Sequence, residues 1–125
     1  MTPTVARSPT CACSWTGFVQ RGDVVRLRAP RGAQAHEQRG LRYGVVLQAG
    51  DLLALSTVIV APTSMSTQPA SFRPEITVAG SRTRVLADQL TAVDRSRLGA
   101  TARSLTWEEL GDLDRAVQVV LGLGR

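Results

Sequence analysis

Histidine and cysteine, groups often used for acid–base, nucleophilic and metal chemistry, are nearly missing from this sequence. His36 is the only histidine, so a paired-histidine nuclease or a Ser-His-Asp triad on separate elements would have to run through one loop residue. Cys11 and Cys13 lie two positions apart in a Pro/Ser/Thr-rich stretch. A disulfide between them would close a small strained loop, and zinc would need two more ligands, which His36 alone cannot supply, so no metal is expected. No Gly-rich phosphate loop or EF-hand pattern occurs. Two polar segments remain, each beside an apolar run: Glu37, Gln38, Arg39 and Arg42 before Val45-Val46-Leu47, and Thr63, Ser64, Ser66 and Thr67 after Val58-Ile59-Val60. Guanidinium forks match phosphate oxygens and hydroxyls hydrogen-bond them. If the two apolar runs are neighbouring strands, both segments share one face.

Such a face needs a scaffold. The chain of 125 residues suits one domain burying roughly two-thirds of its unfolded surface, with 43% hydrophobic and 20% charged residues and a mean hydropathy close to zero. All 15 basic side chains are arginine, against 10 acids, for a net charge of +5. The excess is confined to residues 1–50, where Arg7, Arg21, Arg26, Arg28, Arg31, Arg39 and Arg42 face only Asp23 and Glu37; beyond residue 50 the signs balance. GC-rich codon usage explains arginine in place of lysine but not the avoidance of acids, which points to a polyanionic partner. The chain shows no signal-peptide core and no 18-residue apolar run, so a soluble cytoplasmic protein with no membrane partner is expected.

Residues 1–20 lack periodicity and read as a loose tail, or as sequence upstream of a later start, with the domain proper over 21–125. Residues 21–30 have a turn-like Arg-Gly-Asp start and then a short strand that ends at Pro30, on which Arg26 and Arg28 alternate onto one face. Residues 31–40 read as a mobile loop, and Val45-Val46-Leu47 as a buried strand. The β-branched run at 55–62 is the expected central strand, stopped at Pro62. A second long loop follows, and residues 75–93 then read as three short strands or one bent ribbon. Near the end, Thr106 and Glu109 form a capping box, and Leu110, Leu113, Val117, Val120 and Leu121 follow helical spacing before Gly122 and Gly124. The expected architecture is mainly β with a C-terminal α-helix, a small SH3-like barrel.

The ordered segments RGDVV, HEQRGLRYGVVLQ, STVIVAPTS, ADQLTAVDRSRLG and a last helix ending in Leu-Gly-Leu resemble the MazF/PemK family of toxin endoribonucleases, over residues 21–123. The resemblance implies a CcdB/MazF/PemK-type barrel that forms a homodimer, binds single-stranded RNA and cleaves it at short motifs without a metal or other cofactor. It also implies a small acidic MazE-like antitoxin. Arg42 takes the place of the family's essential arginine, Thr63 that of its essential hydroxyl residue with Ser64 adjacent, Glu37 that of a loop acid, and Gln89 that of a glutamine near bound RNA. Tyr43-Gly44 stands where the family has proline, which is expected to loosen the start of the strand; Tyr43 also offers a ring on which a base can stack.

The chemistry implied is self-consistent. RNA carries its own nucleophile, the 2′-hydroxyl, so the protein need only hold it in line and stabilise charge on the phosphoryl oxygens. Arg42, protonated at all working pH, suits electrostatic stabilisation, Thr63 or Ser64 hydrogen-bonding, and Glu37 proton removal. Arg31, Gln38, Arg39, Tyr43, Ser64 and Gln89 are the expected RNA contacts. Competing structural roles remain open: a strand-edge charge for Arg42, a strand terminator for Thr63, a surface partner of Arg39 for Glu37. A non-catalytic toxin of the same fold, acting like CcdB by binding gyrase, and a weakened RNA-binding relative are the alternatives.

Overall fold

The computed structural model describes residues 19–29 and 42–123. The readings made for the rest of the N-terminal tail, for Cys11 and Cys13, for the loop over 31–40 and for Gly124 lie outside the described residues. Seven strands and one helix are formed: β1 (Asp23–Leu27), β2 (Tyr43–Val46), β3 (Thr57–Ser64), β4 (Glu75–Val78), β5 (Ser81–Val85), β6 (Thr91–Asp94), β7 (Leu98–Ser104) and α1 (Trp107–Leu121). All pairings are antiparallel, in the order β4-β5-β3-β2-β1-β7, with β6 also on β3. The result is the expected mainly β half-barrel with a C-terminal helix.

Consecutive valines explain how the sheet sits in the core. Val24, Val45 and Ala61 belong to one buried cluster with Ile76, Val78, Val85, Leu113 and Ala116, whereas Val25, Val46 and Val60 belong to another with Val58, Val93 and Leu53. Side chains alternate across a strand, so Val-Val pairs bury both faces of β1 and β2. Helix α1 covers the first cluster through Leu113 and Ala116. Leu121, expected on the packed face, is instead 53% exposed, and Ala116 takes the buried place.

The Arg-Gly-Asp start is a structural turn. Asp23 accepts the Gln20 N–H through Oδ2 at 2.9 Å and the Ser104 hydroxyl through Oδ1 at 2.6 Å, tying the start of β1 to the end of β7. The helix boundaries follow the sequence reading: Thr106 and Glu109 make a reciprocal capping box, and Gly122 ends α1 in the left-handed region at φ 69°.

One expectation is corrected. Strand β3 does not stop at Pro62 but runs on to Ser64. On one edge it pairs with β6 from Thr57 to Val60 and with β5 from Thr63, so Pro62 sits in the gap where it changes partners and its missing N–H breaks no ladder there. At the start of β2, where proline is absent, Gly44 is paired on both sides. Gly44 pairs with Val25 and Pro62, and Leu27 packs over the place of its absent side chain: a Cβ there would stand 2.8 Å from Leu27 Cδ1.

Candidate functional site

The end of the sheet where β2 begins and β3 finishes opens into a groove of about 840 Å³. Its walls are the start of β2, the chain from Thr63 to Thr67, the β4–β5 hairpin at Val78, Ala79 and Ser81, and Gln89 from a 3₁₀ turn at Ala87–Gln89. Antiparallel pairing of Gly44 with Pro62 makes this possible, because it sets Arg42 and Tyr43 beside Thr63 and Ser64. Arg42, the described end of the first polar segment, does share a face with Thr63, Ser64, Ser66 and Thr67.

Backbone bonds fix the groove residues from below. The Leu27 N–H donates to the Arg42 carbonyl at 2.9 Å, holding the backbone of an arginine whose side chain is exposed. Among the described residues no carboxylate stands within 4.0 Å of its guanidinium. The half-buried Thr63 hydroxyl donates to the Tyr43 carbonyl at 3.2 Å, linking the two strands and leaving its lone pairs toward the groove as acceptors. Ser64 Oγ accepts the Ser66 N–H at 3.3 Å and lies 3.4 Å from the Ser66 hydroxyl.

A fork-to-fork ion pair sets the far wall. Arg73 donates from Nε to Asp88 Oδ1 at 3.1 Å and from Nη2 to Oδ2 at 2.9 Å, and Nη1 donates to the Gln68 carbonyl at 3.2 Å. The β3–β4 loop is thereby clamped to the turn that carries Gln89. The Arg73 hydrogen bonds hold the Asp88 carboxyl below the ordinary aspartate range. At the hairpin tip, Ala79 adopts φ 53° and Gly80 φ 83°, a tight turn that is sterically disfavoured at alanine and forms the groove's rim.

Of the residues expected at the site, Arg42, Tyr43, Thr63, Ser64 and Gln89 all line this groove. Arg31, Glu37, Gln38 and Arg39 lie outside the described residues. The clamp and the hairpin wall were not foreseen; the adjacency of Asp88 to Gln89 is the one signal for the clamp. Among the described residues, no group of three or more His, Cys, Asp or Glu side chains is placed to hold a metal ion. A second, smaller groove of about 390 Å³ runs between α1 and the sheet, lined by Leu47, Ile59, Leu90, Val117 and Leu121 beside the Arg21–Asp114 ion pair. No helix among the described residues is long and apolar enough to cross a membrane.

Comparison with known proteins places the chain. A family model described as PemK-like, MazF-like toxin of type II toxin–antitoxin systems matches residues 20–121. A Mycobacterium tuberculosis protein named as a candidate toxin is 41% identical over 107 residues, 85% of this chain and 100% of the relative. Among solved structures, an endoribonuclease in complex with its cognate antitoxin from a mycobacterial species superposes with a TM-score of 0.69 at 15% identity, over 86% of this chain and 99% of the other. The Mycobacterium tuberculosis toxin MazF-mt6 gives 0.69 at 14% identity, over 82% and 99%. MazF from Deinococcus radiodurans gives 0.67 at 22% identity, over 84% and 97%.

Proposed function

Because the chain belongs to the PemK/MazF family of toxins of type II toxin–antitoxin systems, we propose that it cleaves single-stranded RNA in the groove of Arg42 and Thr63, without a metal ion. The observation that carries this reading is the convergence of two hydroxyls and a guanidinium, unpaired among the described residues, on one open groove. The substrate's 2′-oxygen attacks the adjacent phosphorus after its proton passes to Glu37. The bond to the 5′-oxygen breaks, that oxygen takes a proton from water, and a cyclic 2′,3′-phosphate and a 5′-hydroxyl result. Arg42 stabilises the charge that builds on the non-bridging oxygens. Thr63, its proton directed at the Tyr43 carbonyl, accepts the hydrogen bond of a substrate hydroxyl, or turns its O–H to the phosphate when substrate displaces that bond; Ser64 can donate as well. Tyr43 and Gln89 contact bases from the walls, and Arg31, Gln38 and Arg39 contact RNA from the β1–β2 connection.

A small acidic antitoxin competes for this groove, a reading supported by the mycobacterial endoribonuclease solved with its cognate antitoxin. Two copies pair through the apolar groove beside α1, where Ile59 is 42% and Leu121 53% exposed. The compartment proposed is the cytoplasm, where RNA is available.

The experiment is cleavage of total RNA and of a matched oligonucleotide in EDTA, with 2′-deoxyribose substituted at the mapped site. The expected result is cleavage of the ribose strand, none of the deoxy strand, and loss of cleavage in Arg42→Ala with an unchanged melting curve. Scission of the deoxy strand overturns the mechanism. Intact total RNA together with capture of a topoisomerase favours a CcdB-like binding toxin instead.

A further inference from the structure

The eleven arginines of the described residues fall into two classes. Six are paired with carboxylates: Arg21 with Asp114, Arg73 with Asp88, Arg82 and Arg84 sharing the single charge of Glu75, Arg103 with Glu109 and Arg115 with Asp112. The other five meet no carboxylate among the described residues. One of them, Arg95, is turned to the Leu53 carbonyl, away from the groove. The remaining four, Arg26, Arg28, Arg42 and Arg97, belong to neighbouring strands and their ends.

Pairing brings these strand ends side by side. Antiparallel order sets the finish of β3 at Thr63, the start of β2 at Arg42, the finish of β1 at Arg28 and the start of β7 after Arg97 along one end of the sheet. At about 4.8 Å per strand, the row from Thr63 to Arg97 spans about 14 Å. The outer pair is anchored. Arg28 Nη1 donates to the Ser96 carbonyl at 2.7 Å and to the Leu98 carbonyl at 3.3 Å, while Arg97 Nε donates to the Arg28 carbonyl at 2.6 Å. Carbonyl acceptors hold a guanidinium in place without cancelling its charge. Arg28 keeps Nε and Nη2 free of protein partners among the described residues, and Arg97 keeps both terminal nitrogens.

We propose that Arg28 and Arg97, with Arg26 alternating onto the same face as Arg28, form a phosphate-binding row that holds the RNA backbone flanking the cleavage site, on the side of Arg42 away from Thr63. The inference rests on the proposed reading of the groove and extends it along the sheet. A row of guanidinium forks that meet no carboxylate among the described residues suits the regularly placed oxygens of a nucleic-acid backbone. It carries no sequence information, so it sets affinity and salt dependence, and leaves base choice to the groove.

The test is binding of a 2′-O-methyl, uncleavable single-stranded RNA of twenty nucleotides across a salt series. Each phosphate contact contributes about 0.7 to the slope of log affinity against log salt for single strands, so Arg28→Gln/Arg97→Gln should lower that slope by about 1.4 and weaken binding at least about tenfold near 0.1 M salt. Arg28→Lys/Arg97→Lys should restore most of the slope, because it restores the charge without the fork. Arg82→Gln/Arg115→Gln removes two exposed, carboxylate-paired guanidiniums that lie off the row and should leave the slope as it was. An unchanged slope in the Arg28/Arg97 variant overturns the row. An equal drop in the Arg82/Arg115 control also overturns it, by reducing the effect to bulk charge. Loss of polyglutamate binding with RNA binding intact assigns the row to an acidic peptide instead. Wild-type protein that neither binds this RNA nor cleaves total RNA overturns the groove reading and the row together, whereas cleavage with an unchanged slope overturns the row alone.

Discussion

Gly44→Ala should change sign with the residue at position 27. A Cβ at Gly44 would lie 2.8 Å from Leu27 Cδ1 and 3.2 Å from Cγ, while its next neighbour, the Ala61 carbonyl, is at an ordinary 3.5 Å. The substitution therefore has one serious obstacle. Overpacking of this kind costs about 1–3 kcal/mol, met by forcing Leu27 out of its rotamer. Against it stands a gain of about 0.4–1 kcal/mol, because alanine has fewer unfolded conformations to lose and Gly44 does not use positive φ. The net expectation is a loss of about 1 kcal/mol, or roughly 4 °C in Tm. In a Leu27→Ala background the obstacle is gone, and Gly44→Ala should stabilise by about 0.5 kcal/mol. The assay is urea unfolding of the wild type, both single variants and the double variant, with m held constant as the sign of unchanged two-state behaviour. Equal destabilisation by Gly44→Ala in both backgrounds would refute the claim that Leu27 is why glycine stands here.

Thr106→Ala removes the side-chain half of the capping box, in which Thr106 Oγ1 accepts the Glu109 N–H at 3.1 Å, and should cost about 1 kcal/mol in the same unfolding assay. Three carboxyls are held below their ordinary range: Asp88 by Arg73, Asp94 by the Ser96 N–H, and Glu109, where burial opposes the shift but the Thr106 N–H and Arg103 outweigh it. A depressed folded-state value means that their stabilisation is complete above the unfolded-state value, near 4, and is lost as pH falls through the folded-state values. Thermal unfolding should therefore be flat in acid until about pH 5 and decline below about pH 4, with the decline smaller in Asp88→Asn. Ile59→Asp/Leu121→Asp should yield monomers in analytical ultracentrifugation, because each charge would be buried in the proposed interface; persistent dimers would place the interface elsewhere.

The legible parts of this fold were those whose signals are local. The capping box and Gly122 marked the helix, and Val45-Val46-Leu47 marked a buried strand. The joint order of Arg42 and Thr63 about such strands pointed to one groove, because adjacent strands in sequence are commonly adjacent in space. Strand β7 was not legible. Its residues Leu98–Ser104 are half-buried or exposed throughout, so no alternation betrays them, and only the edge of β1 makes them a strand. Pro62 misled for a related reason: proline ends a strand that keeps one partner, and β3 changes partners there. The Arg73–Asp88 clamp joins residues 15 apart through folding of the intervening hairpin, which no spacing rule encodes.

Strand β1 is closed by residues that come late in the chain: the Ser104 hydroxyl reaches Asp23 across 81 positions. During synthesis at roughly 5–20 residues per second, about 4–16 seconds separate the two partners. Over about the second half of that interval Arg42 and Thr63 already exist in the nascent chain, but β1 has a bare edge and Arg28 lacks the carbonyls that aim it. Such distant pairing also forms slowly once both ends are present. The proposed groove is therefore flanked by a complete sheet only once β7 has been made.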